Sequence, residues 1–111
     1  MQRSLENEIQ CSRLEGDINN ARSNIVSFTQ HIGRLEQNIQ IQEGLLSSLQ
    51  SQMDRTGDSS FASDIQQAMD EIEHLRQQIA NARDTISEWE DALRDSISEY
   101  RSSGCDGSIG I

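Results

Sequence analysis

The sequence contains no lysine and no proline, and its aromatics are limited to two Phe, one Trp and one Tyr. Its nine cations are all arginines, set against 19 Asp and Glu, for a formal net charge of −10 over 111 residues. Each shortage excludes something. Without clustered bases there is nothing to hold a phosphate backbone, so nucleic acid is not an expected partner. No apolar run exceeds two residues, far from the ~20 that a membrane-spanning helix requires. No charged-then-apolar opening resembles a signal peptide. With neither segment visible, a cytoplasmic location is the default expectation. The lack of proline leaves no residue that must break a helix.

Hydrophobic residues make up 33 % of the chain, below the roughly 45–50 % of globular domains, and a low value with high charge can signal disorder. The order of the apolar residues argues for helix instead. From Leu14 they recur at alternating steps of four and three, the heptad pattern of a coiled coil. Ile18, Ile25, Ile32, Ile39, Leu46 and Met53 hold position a, while Leu14, Ala21, Phe28, Leu35 and Leu49 hold d, with Gln42 the one polar miss. A second run places Ile65, Ile72, Ile79, Ile86, Leu93 and Tyr100 at a, and Phe61, Ala68, Leu75, Ala82, Trp89 and Ser96 at d.

The segment Asp54-Arg55-Thr56-Gly57-Asp58-Ser59-Ser60 separates the runs and is rich in turn formers. Gly57 can take a positive φ and end the first helix, and Ser59 or Ser60 can cap the second. A connection this short makes neighbouring helices antiparallel. The expected fold is therefore all-α, an antiparallel two-helix coiled-coil hairpin assembling further into a four-helix or larger bundle. Its parts are an N-terminal helical overhang (1–12), a long first helix (13–53), a turn (54–60), a second helix (61–103) and a flexible C-terminal tail (104–111). Helix one would be roughly 75 Å long, which describes a rod rather than a globule.

Setting Met53 opposite Phe61 brings Leu49 to Ile65, Ile39 to Leu75, Leu35 to Ile79, Phe28 to Ile86, Ile25 to Trp89 and Leu14 to Tyr100. Large faces small at several layers, as close packing demands. The flanking positions then pair Arg22 with Glu90 and Glu36 with Arg76. Residues before about 12 find no partner in this arrangement. Residues 18–28 (INNARSNIVSF) also echo 79–89 (IANARDTISEW), which any two heptad segments can do and which a duplicated helix would also produce.

Leu5, Ile9, Ile41, Leu45, Met69 and Ile97 fall outside the a/d seam, as does Val26. Scattered exposed apolar residues are ordinary, but a two-helix rod buries only one narrow seam and is a poor fold by itself. These positions are therefore expected to contact a second copy or another protein. Gly16, Gly33 and Gly44 sit on the outward face, where each costs ~1 kcal/mol relative to alanine. They mark either a close-approaching helix or tolerated drift.

Cys11 lies at an a position near the open end of the hairpin, and Cys105 lies two residues from the position facing it. A Cys11–Cys105 bond would close a loop of about 95 residues, with a chain-entropy benefit on the order of 4–5 kcal/mol. The alternatives are a pair of free thiols in a reducing compartment and intermolecular pairing through Cys105.

Chemistry-bearing motifs are scarce. His31 and His74 fall at surface positions on different arms, and with the two cysteines they lack the spacing of a zinc site. Carboxylates on an open rod have no cleft to shift their pKa values. No catalytic, cofactor or metal site is expected, and no small-molecule substrate. The tail ends in Ile109-Gly110-Ile111, a pattern that could add a strand to a sheet edge or simply be a loose terminus.

The function expected is a non-enzymatic interaction module that binds itself and another protein as scaffold, adaptor or spacer. An acidic inhibitor or nucleic-acid mimic is the alternative, but arginines at 3, 13, 22, 34, 55, 76, 83, 94 and 101 interrupt any acidic stripe. A secretion or assembly chaperone holding a client at Leu5 and Ile9 is a further one. The acidic, lysine-free surface itself fits adaptation to high salt and equally fits avoidance of lysine modification.

Overall fold

A computed structural model describes residues 5–105. Two helices account for almost all of them: α1 (Leu5–Thr56, 52 residues) and α2 (Phe61–Ser102, 42 residues). They pack against each other as a helical hairpin, with no strand among the described residues. The tail residues Ile109 and Ile111 lie outside the described residues.

The turn is built from side chains as much as from glycine. α1 continues to Thr56, three residues past the end of the apolar seam at Met53. The Thr56 hydroxyl donates to the Gln52 carbonyl at 2.8 Å and accepts from the Asp58 N–H at 3.2 Å. Gly57, at φ 66°, donates its N–H to the Met53 carbonyl at 2.8 Å. That left-handed residue ends the helix because a β-carbon there would be strained.

Asp58, rather than Ser59 or Ser60, supplies the side-chain cap of α2. Its carboxylate accepts the Ser60 N–H at 2.9 Å, and its carbonyl accepts the Phe61 N–H at 3.5 Å. A charged acceptor two residues before a free N–H satisfies that donor and complements the positive end of the helix, which a serine hydroxyl does more weakly. The bond from the Ser60 backbone N–H, then the one from its hydroxyl, hold the Asp58 carboxyl below the usual carboxylate range.

α2 ends in a double-bonded reversal. Cys105 N–H donates to the Tyr100 carbonyl at 3.3 Å and Gly104 N–H to the Arg101 carbonyl at 3.2 Å, with Gly104 at φ 73°. This 6→1, 5→2 pair is the Schellman arrangement. Its geometry turns the chain back sharply, and the next residue to emerge is Cys105.

The chain divides into two compact units. In the unit formed by 1–28 and 84–111, Cys11, Leu14, Ile18 and Tyr100 make one buried cluster, with Leu93, Ile97 and Cys105 packed on it. Ala21 is also buried there, and Ile25, Phe28, Ile86 and Trp89 are half-buried. In the unit 29–83, Leu35, Leu75 and Ile79 form a second cluster with Ile32 and Ile39 against it. Ala68, Ile72 and Ala82 are buried in that unit, while Leu46, Leu49, Met53, Phe61 and Ile65 are half-buried. No polar or charged residue is buried among the described residues. Half-burial is what two helices can offer, because each seam side chain has partners on one side only. Full burial of a Leu or Ile contributes about 1.5–3 kcal/mol, so the wholly enclosed residues carry a disproportionate share.

Candidate functional site

The end of the hairpin that holds Cys11 is closed covalently. Cys11 and Cys105 form a disulfide with their Cα atoms 5.7 Å apart, and no free cysteine remains. Beside it the Tyr100 hydroxyl donates to Glu15 Oε1 at 3.0 Å, which lets a phenol sit in the cluster with its polar tip satisfied. Two further bonds tie the first turns of α1 to α2: Asn7 Nδ2 to the Ser103 carbonyl and Gln10 Nε2 to Glu99 Oε1, both 3.3 Å. Asn7 and Gln10 therefore have partners within the hairpin, where extrapolating the straight seam left residues before about 12 with none. Glu99 lies in the last turn of α2 and Ser103 just past its end, so the end of α2 supplies them.

The apolar residues off the seam divide into two kinds. Leu5 (71 % exposed), Ile9 (62 %), Val26, Ile41 (66 %), Leu45 and Met69 stand in solvent. Ile97 does not: it is half-buried and packs on the Cys11 cluster. It lies one turn beyond Leu93 on the same face of α2, so its side chain reaches the interior that a strict a/d assignment denies it.

Open grooves run beside these residues. In the first unit, Ile25 from α1 and Leu93 and Ile97 from α2 line a groove of about 910 Å³, along which lie Glu90, Arg94 and Arg101. Arg94 Nη2 also meets Asp91 Oδ1 at 3.3 Å within its own helix. In the second unit Leu45 lies beside Gln42, Leu49 and Asp64, and Met69 beside Leu46, Ile72 and Arg76. Glu36 pairs there with Arg83 at 3.8 Å rather than with Arg76, although both arginines border the same recess. Flexible, exposed side chains choose between two nearby partners for a fraction of a kcal/mol, and such pairs contribute about 0–1 kcal/mol.

The histidines stand apart from one another in exposed positions, and His74 Nε2 lies 3.2 Å from Gln78 Nε2 one turn on. No group of three or more His, Cys, Asp or Glu suited to a metal ion occurs among the described residues, and no helix there is long and apolar enough to cross a membrane. Sequence reasoning missed the Glu15–Tyr100 bond and the arginine-lined groove. The first had a signal, a tyrosine at a core position that needs a partner for its hydroxyl; the second depended on Ile97 turning inward. Comparison with protein-family models, with curated proteins and with solved structures finds no match to this chain.

Proposed function

We propose that the chain is a protein–protein interaction module, an antiparallel coiled-coil hairpin that acts by contact rather than catalysis. It associates with itself, in a four-helix or larger bundle, and with a further protein as scaffold, adaptor or spacer. The antiparallel pairing draws support from the contacts at the disulfide end, where Asn7, Gln10 and Glu15 meet Ser103, Glu99 and Tyr100 in nearly reversed order. The observation that carries the functional reading is the set of large apolar side chains left in solvent once the seam is filled, led by Leu5, Ile9 and Ile41. A two-helix hairpin has no other face on which to bury them, so a second surface does.

Sedimentation equilibrium over a hundredfold range of concentration tests this. The mass rises above 12.5 kDa toward a multiple of it as concentration increases. A monomer mass throughout overturns the reading.

A further inference from the structure

The groove beside the disulfide-closed end joins a three-residue apolar floor to a pair of exposed arginines one above the other; the recess at Arg76 and Arg83 also has two arginines, but only Ile79 and Ala80 for a floor. Ile25, Leu93 and Ile97 give the floor, and Arg94 and Arg101, seven residues apart on α2, stand on the same side of it. Glu90 also borders the groove, and Arg94 is engaged with Asp91 in an exposed i,i+3 pair. That pair is weak enough to be exchanged for a better-placed carboxylate.

The same unit carries a segment of complementary chemistry. Leu5 and Ile9 are one turn apart on one face of α1 and are among its most exposed apolar side chains. Glu6 and Glu8 flank that pair on opposite sides, since helical residues advance by ~100° each. From Leu5 to Ser12 the segment has no base. An acidic-flanked Leu/Ile pair laid into the groove would set its apolar face on Ile25, Leu93 and Ile97. Whichever way it runs, one of its carboxylates faces the arginines.

We propose that the occupant of this groove is the Leu5–Ile9 turn of a second copy of the chain. The inference rests on the self-association proposed above and names its surface. Ligand and receptor elements lie in one unit, so two copies can exchange the contact reciprocally and close a two-fold dimer rather than an open chain. Charge complementarity selects the pairing: an apolar pair with a carboxylate on either side meets an apolar floor with two arginines along one side, so in either direction one carboxylate meets them. On a surface of net charge −10, Arg94 and Arg101 are a place where an acidic segment of a like-charged copy is attracted rather than repelled.

Charge reversal in two separate chains is the test. One variant carries Glu6→Arg and Glu8→Arg, the other Arg94→Glu and Arg101→Glu. Each places like charges across both contacts of a homodimer and is expected to weaken self-association at least tenfold by sedimentation, with helical circular dichroism unchanged. Mixed in equal amounts, the two restore opposite charges at both contacts, and a heterodimer of near-parental affinity forms. Should both variants associate as tightly as the parent, or the mixture stay as weak as its components, this groove is not the interface while self-association stands. A parent that is monomeric at every concentration overturns both readings. A variant that loses helicity is replaced by its Gln counterpart, which removes the attraction without adding repulsion and is expected to weaken association by a smaller factor; an unchanged affinity then refutes the pairing.

Discussion

Breaking the Cys11–Cys105 bond is the perturbation whose size the structure sets best. The bond links positions 94 apart in sequence. In the chain-entropy description, tying a loop of that length removes about 16 cal/mol/K from the unfolded ensemble, or about 4.7 kcal/mol at 25 °C. Loss of packing adds little, because a reduced Cys11 still fills its place beside Leu14 and Ile18 as a small hydrophobe. Cysteine-to-alanine changes or a phosphine reductant therefore isolate the cross-link better than serine, whose hydroxyl would be buried in an apolar cluster. Urea unfolding followed by circular dichroism, on oxidised and reduced protein side by side, measures the difference after extrapolation to water. Thiol titration of the oxidised, urea-unfolded protein should find no free thiol. A stability difference under about 1 kcal/mol, with the bond verified in one sample and absent in the other, refutes the loop-closure account. In that case residual structure in the reduced unfolded chain already holds the ends together.

Ile18, fully enclosed at 0 % exposure, should cost about 2–5 kcal/mol when replaced by alanine, whereas Val26→Ala, at 56 % exposure, should move stability by less than about 0.5 kcal/mol; chemical denaturation of the two compares them directly. Nothing lies within 4 Å of a β-carbon built on Gly33, so Gly33→Ala should stabilise α1 by about 1 kcal/mol through propensity alone, read as a rise in unfolding midpoint. Removing the Tyr100 hydroxyl, which donates to the Glu15 carboxylate at 3.0 Å, should cost about 1.5–3 kcal/mol in a Phe variant, and a double-mutant cycle with Glu15→Gln measures how much of that is coupling between the two side chains. The Asp58 carboxyl is held below its ordinary range by Ser60, so its ionised cap favours the folded state. That contribution is complete above the unfolded carboxyl pKa, ~3.9, and is lost as pH falls through the lower folded value. Asp58→Asn keeps an acceptor and should flatten the acid limb of a melting-temperature profile relative to the parent.

The helices and the face they cover are readable because nearly every step of the heptad pattern, Gln42 and Ser96 apart, says the same thing. Leu14, Ile18, Leu35, Ile79 and Tyr100 lie on that face by spacing alone, and they are among the residues that the packing encloses. Reading failed where a local choice had two chemically adequate answers. Asp58, Ser59 and Ser60 are all good caps, and reach decides among them: the Asp58 carboxylate is two residues from the N–H it satisfies. Glu36 had Arg76 and Arg83 at comparable distances along α2, and exposed pairs of that kind are settled by fractions of a kcal/mol. The heptad is a binary rule and puts Ile97 outside the seam, while the interior next to Leu93 is wide enough for its side chain. The polar bonds of Asn7 and Gln10 depend on how far α2 runs beyond the last seam layer, since Glu99 is in its last turn and Ser103 just past its end, and no periodicity encodes that.

The covalent clip and the exposed apolar residues belong to one physical problem. A hairpin of two helices encloses few side chains completely; at the disulfide end Leu14, Ile18 and Tyr100 are the largest. If that end depended on apolar burial alone, the cheapest route to stability would be a permanent partner over Leu5 and Ile9, and association would be obligate. A cross-link worth about as much as two buried Leu or Ile side chains removes that requirement. The end then stays folded while Leu5, Ile9 and the Arg94–Arg101 groove remain open, and their docking is free to be reversible. Under the proposed reading, the disulfide makes the contact surface one that the chain can expose without unfolding.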